Sequence, residues 1–155
     1  MRRYNVSTSV MTPARSCEIY IDGASRGNPG PASVGVVMFD GTAAPARQFS
    51  HYLGETTNNV AEYLAFIYAL QEALQAGYRT VTVKTDSELL ARQVNGQYQV
   101  RDGRLRIFHD LALHLAKGFS AWTLEHIPRT QNTLADRLAA RAIDSHRARA
   151  TSRVL

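Results

Sequence analysis

The stretch IYIDGASRGNPGPASVGVV, Ile19–Val37, decides how the rest of the chain is read. Apolar residues lead into Asp22, the chain breaks over a Gly/Pro-rich segment, and an apolar strand pattern resumes at Ser33. Strands joined this tightly are antiparallel neighbours. The carboxylate at the mouth of a buried strand has three readings: a plain Asp-Gly turn, a nucleophile turn built on Gly23-Ala24-Ser25-Arg26-Gly27, or one corner of a metal site. A nucleophile turn needs a helix directly under the serine. Asn28-Pro29-Gly30-Pro31 follows instead, so Ser25 is a poor candidate for a serine hydrolase.

Working outward, the first strand covers Cys17–Ile21, the second Ser33–Phe39 and the third, after Asp40-Gly41, Arg47–Leu53. The period then changes. In TTNNVAEYLAFIYALQEALQAG, Tyr63, Leu64, Ile67, Leu70 and Leu74 recur at helical spacing, with Thr56 or Thr57 to cap the start and Gly77 to end it. A β-branched strand, Thr80–Asp86, also terminates in a carboxylate. A short helix Ser87–Val94, a helix from Gly103, a strand Ala121–Ile127 and a final helix opening at NTLADRLAARAI complete the order β-β-β-α-β-α-α-β-α. Strands separated by helices run parallel. The expected fold class is therefore α/β, a mixed five-stranded sheet of three antiparallel strands followed by parallel ones, flanked by helices. Residues 1–16 read as a flexible basic arm, 17–144 as one folded domain and 145–155 as a basic, frayed tail.

The 155 residues, 45% of them hydrophobic, are enough for a single buried core. The formal charge of +5 suits a polyanionic partner without requiring one. Cys17 is the single cysteine, so no internal disulfide forms. No segment approaches the roughly 20 apolar residues of a membrane span. These features are read as a soluble cytoplasmic protein, a monomer, with no membrane or protein partner implied. Trp122, Phe108 and Phe119 are assigned to the core. His109 and His114, five apart on a helix, do not share a face and make no metal pair.

Four carboxylates converge on one end of such a sheet. Asp22 and Asp86 end strands expected to be neighbours, Glu62 lies early in the long helix, and Asp136 lies early in the last one. Each has an ordinary alternative: a turn for Asp22, a helix cap for Asp86, and dipole complementation for Glu62 and Asp136. The alternatives do not explain why all four meet at one edge. Two like charges about 4 Å apart repel by roughly 4 kcal/mol at an effective dielectric near 20. A hard divalent ion resolves that repulsion. Mg²⁺ prefers carboxylate oxygen and keeps waters for substrate phosphates, and a pair of such ions can activate water and stabilise the leaving oxygen of a phosphodiester.

The segments IYIDGASRGNPGPASVG, TTNNVAEYLA, VKTDSELL and NTLADRLA resemble, in order and with suitable gaps, the four signature segments of ribonuclease H, type 1, from Cys17 to about Ile143. The resemblance implies the ribonuclease H-like fold and endonucleolytic cleavage of the RNA strand of an RNA–DNA hybrid, leaving 5′-phosphate and 3′-hydroxyl ends. It implies that Asp22, Glu62, Asp86 and Asp136 are the catalytic carboxylates holding two Mg²⁺ ions, for which Mn²⁺ can substitute. Asp22 and Asp86 are then closest to both ions, Glu62 is on the water-activating side, and Asp136 is the looser ligand. It also implies that Gly23, Ser25, Asn28, Asn58 and Asn59 line the minor groove. There amides and open backbone can meet the 2′-hydroxyls that distinguish RNA.

Two departures stand out. Many members carry a histidine in the loop before the last carboxylate. Here that segment is LEHIPRTQNTLAD, His126 falls at the end of a strand, and Arg129 is the better candidate near the leaving phosphate, acting by charge alone. Some relatives carry a lysine-rich protrusion. Residues 95 to 120 offer only Arg101, Arg104, Arg106 and Lys117, so the type expected is the bacterial/archaeal-like one without the basic protrusion. Arg2, Arg3 and Arg15 in the arm, or Arg147, Arg149 and Arg153 in the tail, are candidates for extra phosphate contacts. The competing functions are a nuclease of this fold that prefers another substrate, such as duplex RNA, and a non-catalytic nucleic-acid-binding module.

Overall fold

The computed structural model describes residues 15–154, with side chains through residue 150. The expected arm up to residue 14, with Arg2 and Arg3, and the Arg153 side chain lie outside the described residues. The elements run β1 (Ser16–Ser25), β2 (Gly30–Phe39), β3 (Arg47–Thr56), α1 (Asn58–Gln75), β4 (Thr80–Thr85), α2 (Glu88–Val94), α3 (Gly103–Ala116), β5 (Ala121–His126) and α4 (Thr133–Val154), with a 3-10 turn at Arg129–Gln131 before α4. Strand order is β3-β2-β1-β4-β5. β1 pairs antiparallel with β2 and β2 with β3, whereas β4 runs parallel to β1 and β5 parallel to β4. This is the mixed five-stranded sheet expected from the element order and the ribonuclease H-like fold that the resemblance implied. Among the described residues no helix is long and apolar enough to cross a membrane.

β2 starts at Gly30 rather than Ser33 and β3 runs to Thr56 rather than Leu53, and three further differences from the sequence reading have a physical cause. β1 does not stop at Ile21. The parallel ladder with β4 ends at Ile21↔Thr85, but the antiparallel ladder with β2 continues through Asp22↔Gly35 to Ser25↔Ala32. Asp22 therefore sits inside a strand, at the point where one of its two neighbours ends. At the N-terminal end, the folded part already includes Arg15 and Ser16, which the sequence reading gave to the arm. Arg15 donates to Ala76 O at 2.7 Å and stacks over the Tyr78 ring, and Ser16 already pairs with Thr80. At the other end α4 continues through Ser145, where a separate tail was expected, to Val154. Its Ala and Arg residues have high helix propensity, and His146 stacks on the Tyr52 ring of β3.

Alternation along the strands assigns the faces. Ile19, Ile21, Val34, Val36, Met38, Val81 and Val83 form the core together with Tyr63, Phe66 and Leu70 of α1. Phe119 is buried in this core, and Phe108 and Trp122 pack against it. Ser33 and Gly35 alternate with that set, and so face the other side, toward α4. Ser33 Oγ donates to Ala139 O. A Cβ on Gly35 would run into Ala135 O and Ala139 N. Gly35 thus lets α4 rest directly on the β2 backbone, opposite Asp22 in the ladder.

Gly35→Ala is expected to lower unfolding stability by about 1–3 kcal/mol, the usual cost of overpacking a tight site. Gly103→Ala, where an added Cβ meets nothing within 4 Å, should stay within about 0.5 kcal/mol of the parent. Urea denaturation of the two variants side by side checks this.

Candidate active site

Four short pieces of chain meet where the β1–β4 ladder ends. Asp22 is held in β1 by its pairing with β2 and is 6% exposed. Asp86 follows the last residue of β4. Its neighbours take the structural duties: Ser87 caps α2 by accepting from Leu90 N at 3.2 Å, and Thr85 Oγ1 accepts from Ser87 N at 3.0 Å. Asp86 is therefore not the cap that Asp86-Ser87 suggested as its ordinary role, and its carboxylate is left to the site. Thr57 likewise caps α1, accepting from Val60 N at 3.3 Å, so neither Asn58 nor Asn59 is spent as a cap.

Glu62 lies in the second turn of α1 and is 5% exposed, which a surface group complementing the helix dipole would not be. It reaches the sheet because Gly23 has no side chain. A Cβ there would collide with the backbone of Ala61 and Glu62. Gly23 N instead donates to Glu62 Oε2 at 3.2 Å. Gly23, assigned from sequence to the substrate groove, is buried, and its observed part is to admit α1 and hold Glu62.

One oxygen each of Asp22, Glu62 and Asp86 lies within 4.8 Å of the others. Asp136 is exposed and stands outside that triplet, but its carboxyl interacts with Asp22 by hydrogen bonding and by charge. Burial above all, and then the charges of Asp86 and Asp136, push the Asp22 carboxyl from 3.8 up to about 8. Burial, followed by the charges of Asp22 and Asp86, holds Glu62 well above the usual carboxylate range. Arg129, in the 3-10 turn, acts on both in the opposite direction. A cluster of hard oxygen donors whose buried members resist ionisation fits a divalent cation, which would restore the charged form of each.

Around this cluster, Asn28 Oδ1 accepts from Asn58 N at 3.1 Å, tying the loop after β1 to the start of α1. Ser25 Oγ has two carbonyl acceptors, Thr56 O at 2.9 Å and Gly27 O, within reach of its one hydroxyl hydrogen. Asn28, Asn58 and Asn59 are exposed and Ser25 is half-buried. His126 is the last residue of β5, paired with Thr85 and exposed.

One residue in the site was not singled out from the sequence. Asn132 is 1% exposed. Its Nδ2 donates to Ile21 O at 2.8 Å and lies 3.4 Å from Asp86 Oδ2. An Asn just before a helix reads as a cap, and nothing in QNTLAD distinguishes this one.

The raised Asp22 carboxyl makes stability depend on pH in a definite direction. The folded state holds this proton more tightly than the unfolded chain, so the contribution is complete below about 3.8 and is lost as pH rises through about 8. The Tm of the metal-free protein should therefore fall across that window. Asp22→Asn should flatten the fall and raise Tm at pH 7.5, and MnCl₂ should raise the Tm of the parent more than that of Asp22→Asn. Thermal melts with EDTA or MnCl₂ read all three.

Residues 20–142 match the family model described as Reverse transcriptase-like. The chain is 40% identical over 139 residues to the Ribonuclease HI of Halobacterium salinarum, covering 88% of this chain and 70% of that protein. The crystal structure of RNase H1 from the same archaeon superposes with a TM-score of 0.82, covering 84% of this chain and 98% of that one. LC11-RNase H1, crystallised in complex with RNA/DNA hybrid, is 41% identical, with a TM-score of 0.80 over 84% of this chain and 98% of that one. The bifunctional protein Rv2228c of Mycobacterium tuberculosis is 38% identical over 128 residues, 82% of this chain but only 35% of that longer protein. The fold, the acidic cluster at the sheet end and these likenesses together make the chain a member of the ribonuclease H family, type 1.

Proposed function

We propose that this chain is an endoribonuclease that hydrolyses the RNA strand of RNA–DNA hybrids, giving 5′-phosphate and 3′-hydroxyl ends, with two Mg²⁺ ions as its cofactors and Mn²⁺ able to replace them. The observation that carries this reading is the meeting of Asp22, Glu62 and Asp86, from three separate elements, within 4.8 Å of one another at the sheet end of a ribonuclease H fold. The complex of LC11-RNase H1 with RNA/DNA hybrid supports the choice of substrate.

Asp22, Glu62 and Asp86, with Asp136 beside them, would hold the ions. When bound, divalent ions supply an activated water and offset charge on the phosphate as the P–O bond breaks. The chain's own residues do the rest. The folded scaffold fixes the carboxylates before substrate arrives, so little reorganisation is left for the reaction. Arg129 places a positive charge beside Asp22 and Glu62, where it can also meet the scissile phosphate. Asn28, Asn58 and Asn59 offer amide donors and acceptors on an exposed rim, suited to the 2′-hydroxyls of an RNA strand. Ser25 shapes that rim through its bond to Thr56.

End-labelled RNA–DNA hybrid, duplex RNA and single strands, incubated with Mg²⁺, Mn²⁺ or EDTA, test the reading. Cuts are expected in the RNA of the hybrid, with a divalent ion only. Asp86→Asn should abolish cleavage and keep hybrid binding. Faster cutting of duplex RNA than of hybrid would replace the substrate. Binding without any cutting by the parent would make the chain a binding module. Arg129→Ala should lower kcat more than it raises KM if the arginine acts on the scissile phosphate in the transition state.

A further inference from the structure

We propose that Asn132 is a positioning residue for the carboxylate centre: its side-chain amide locks the start of α4 onto the sheet end and orients Asp86. The inference rests on the hybrid-cleaving reading of this site and assigns a role to a residue outside the acidic set.

The geometry singles Asn132 out in three ways. First, its amide nitrogen faces Ile21 O at 2.8 Å, a carbonyl that can only accept, and Asp86 Oδ2 at 3.4 Å, which accepts from it as a carboxylate. That chemistry fixes the orientation of the amide, since the flipped form would set oxygen against oxygen at both. The two N–H groups thus serve the carbonyl just before Asp22 and one oxygen of Asp86. With Oδ2 engaged, the Asp86 carboxylate has a preferred rotation.

Second, the backbone of Asn132 is tied to the remaining pieces. Its N–H donates to Arg129 O at 3.0 Å, and its C=O accepts from Asp136 N at 3.2 Å as the first hydrogen bond of α4. One residue therefore connects the strand carrying Asp22, the Asp86 carboxylate, the turn carrying Arg129 and the helix carrying Asp136.

Third, the ordinary explanation fails. An Asn before a helix normally turns its side-chain oxygen to the N–H groups of the first turn. Here Oδ1 is buried and, among the described residues, has no partner. The side chain forgoes the capping bond and faces the sheet. A fold selected only for helix stability would have no use for that arrangement.

The test compares the full-length parent with Asn132→Ala and with Asn132→Leu, the latter close to Asn in size and without a donor. Three quantities are read: the midpoint of an Mn²⁺ binding titration followed by calorimetry, kcat and KM for hybrid cleavage, and hybrid affinity by fluorescence anisotropy in EDTA. A residue that orients a metal-binding carboxylate changes metal affinity or activity by about 10–100-fold when removed. The Mn²⁺ midpoint should rise and kcat should fall on that scale in both variants, with hybrid affinity in EDTA unchanged. A lower Tm with the parent's Mn²⁺ midpoint and kcat would reduce Asn132 to a packing residue and overturn the proposal. If Asn132→Ala does not fold, Asn132→Leu carries the same comparison. A parent that cleaves no hybrid would overturn the substrate reading instead, and the Mn²⁺ midpoint would still decide the role of Asn132.

Discussion

The mutual repulsion of carboxylates brought together at the end of the sheet is the constraint on which the rest of this structure depends. Asp22, Glu62 and Asp86 present oxygens within 4.8 Å of one another, two of them on buried residues. At that separation each ionised pair is unfavourable by a few kcal/mol, even with the screening typical of proteins. Side chains free to move would separate. They stay because each is anchored by a different backbone element with other reasons to be where it is: Asp22 by the β1–β2 ladder, Glu62 by the packing of α1 on the core, and Asp86 by the turn that Thr85 and Ser87 build. The stability of the core is what holds an otherwise repulsive site in place, as functional sites often require.

Bringing helices close enough to do this takes missing side chains on both faces. Gly23 lets α1 approach β1 until Glu62 meets the strand's own N–H, and Gly35, one strand over, lets α4 lie against β2 beside Asp22. The two glycines flank Asp22 in register, as Gly23 follows it and Gly35 pairs with it. Their role is steric closeness, not unusual dihedrals, and neither is at positive φ.

Much of this was legible in the sequence. The change from strand to helical periodicity after Thr56 and the tight β-β-β opening were sufficient for the topology. Asp22 and Asp86 could be brought side by side because parallel strands joined through a helix bring their carboxyl ends together. What sequence could not show was which of several polar residues at a helix start would do the capping. Thr56 or Thr57, and Asp86 or Ser87, are equivalent on propensity, and only the packed geometry assigns Thr57 and Ser87 to the helices. Asn132 was hidden for the same reason, because its neighbour pattern is that of a cap and its true partners, Ile21 and Asp86, are 111 and 46 residues away. The length of α4 was misjudged because a polar, arginine-rich segment reads alike as frayed tail or exposed helix.

The same electrostatics links metal and substrate. The chain as a whole is positive, at +5, but the charge nearest the reaction is negative, and Arg129 is the cation that acts on both buried carboxylates. A nucleic-acid phosphate approaching the bare cluster meets repulsion that one guanidinium cannot offset. Cations bound by the carboxylates would reverse the sign of the local field, so the group proposed to enable the chemistry would also make the pocket attractive to a polyanion. The basic residues elsewhere can then serve the weaker, longer-range task of drawing nucleic acid to the surface. That division lets Asp22, Glu62 and Asn132, acids and an amide, be buried in the site, while Arg129 stays exposed beside them.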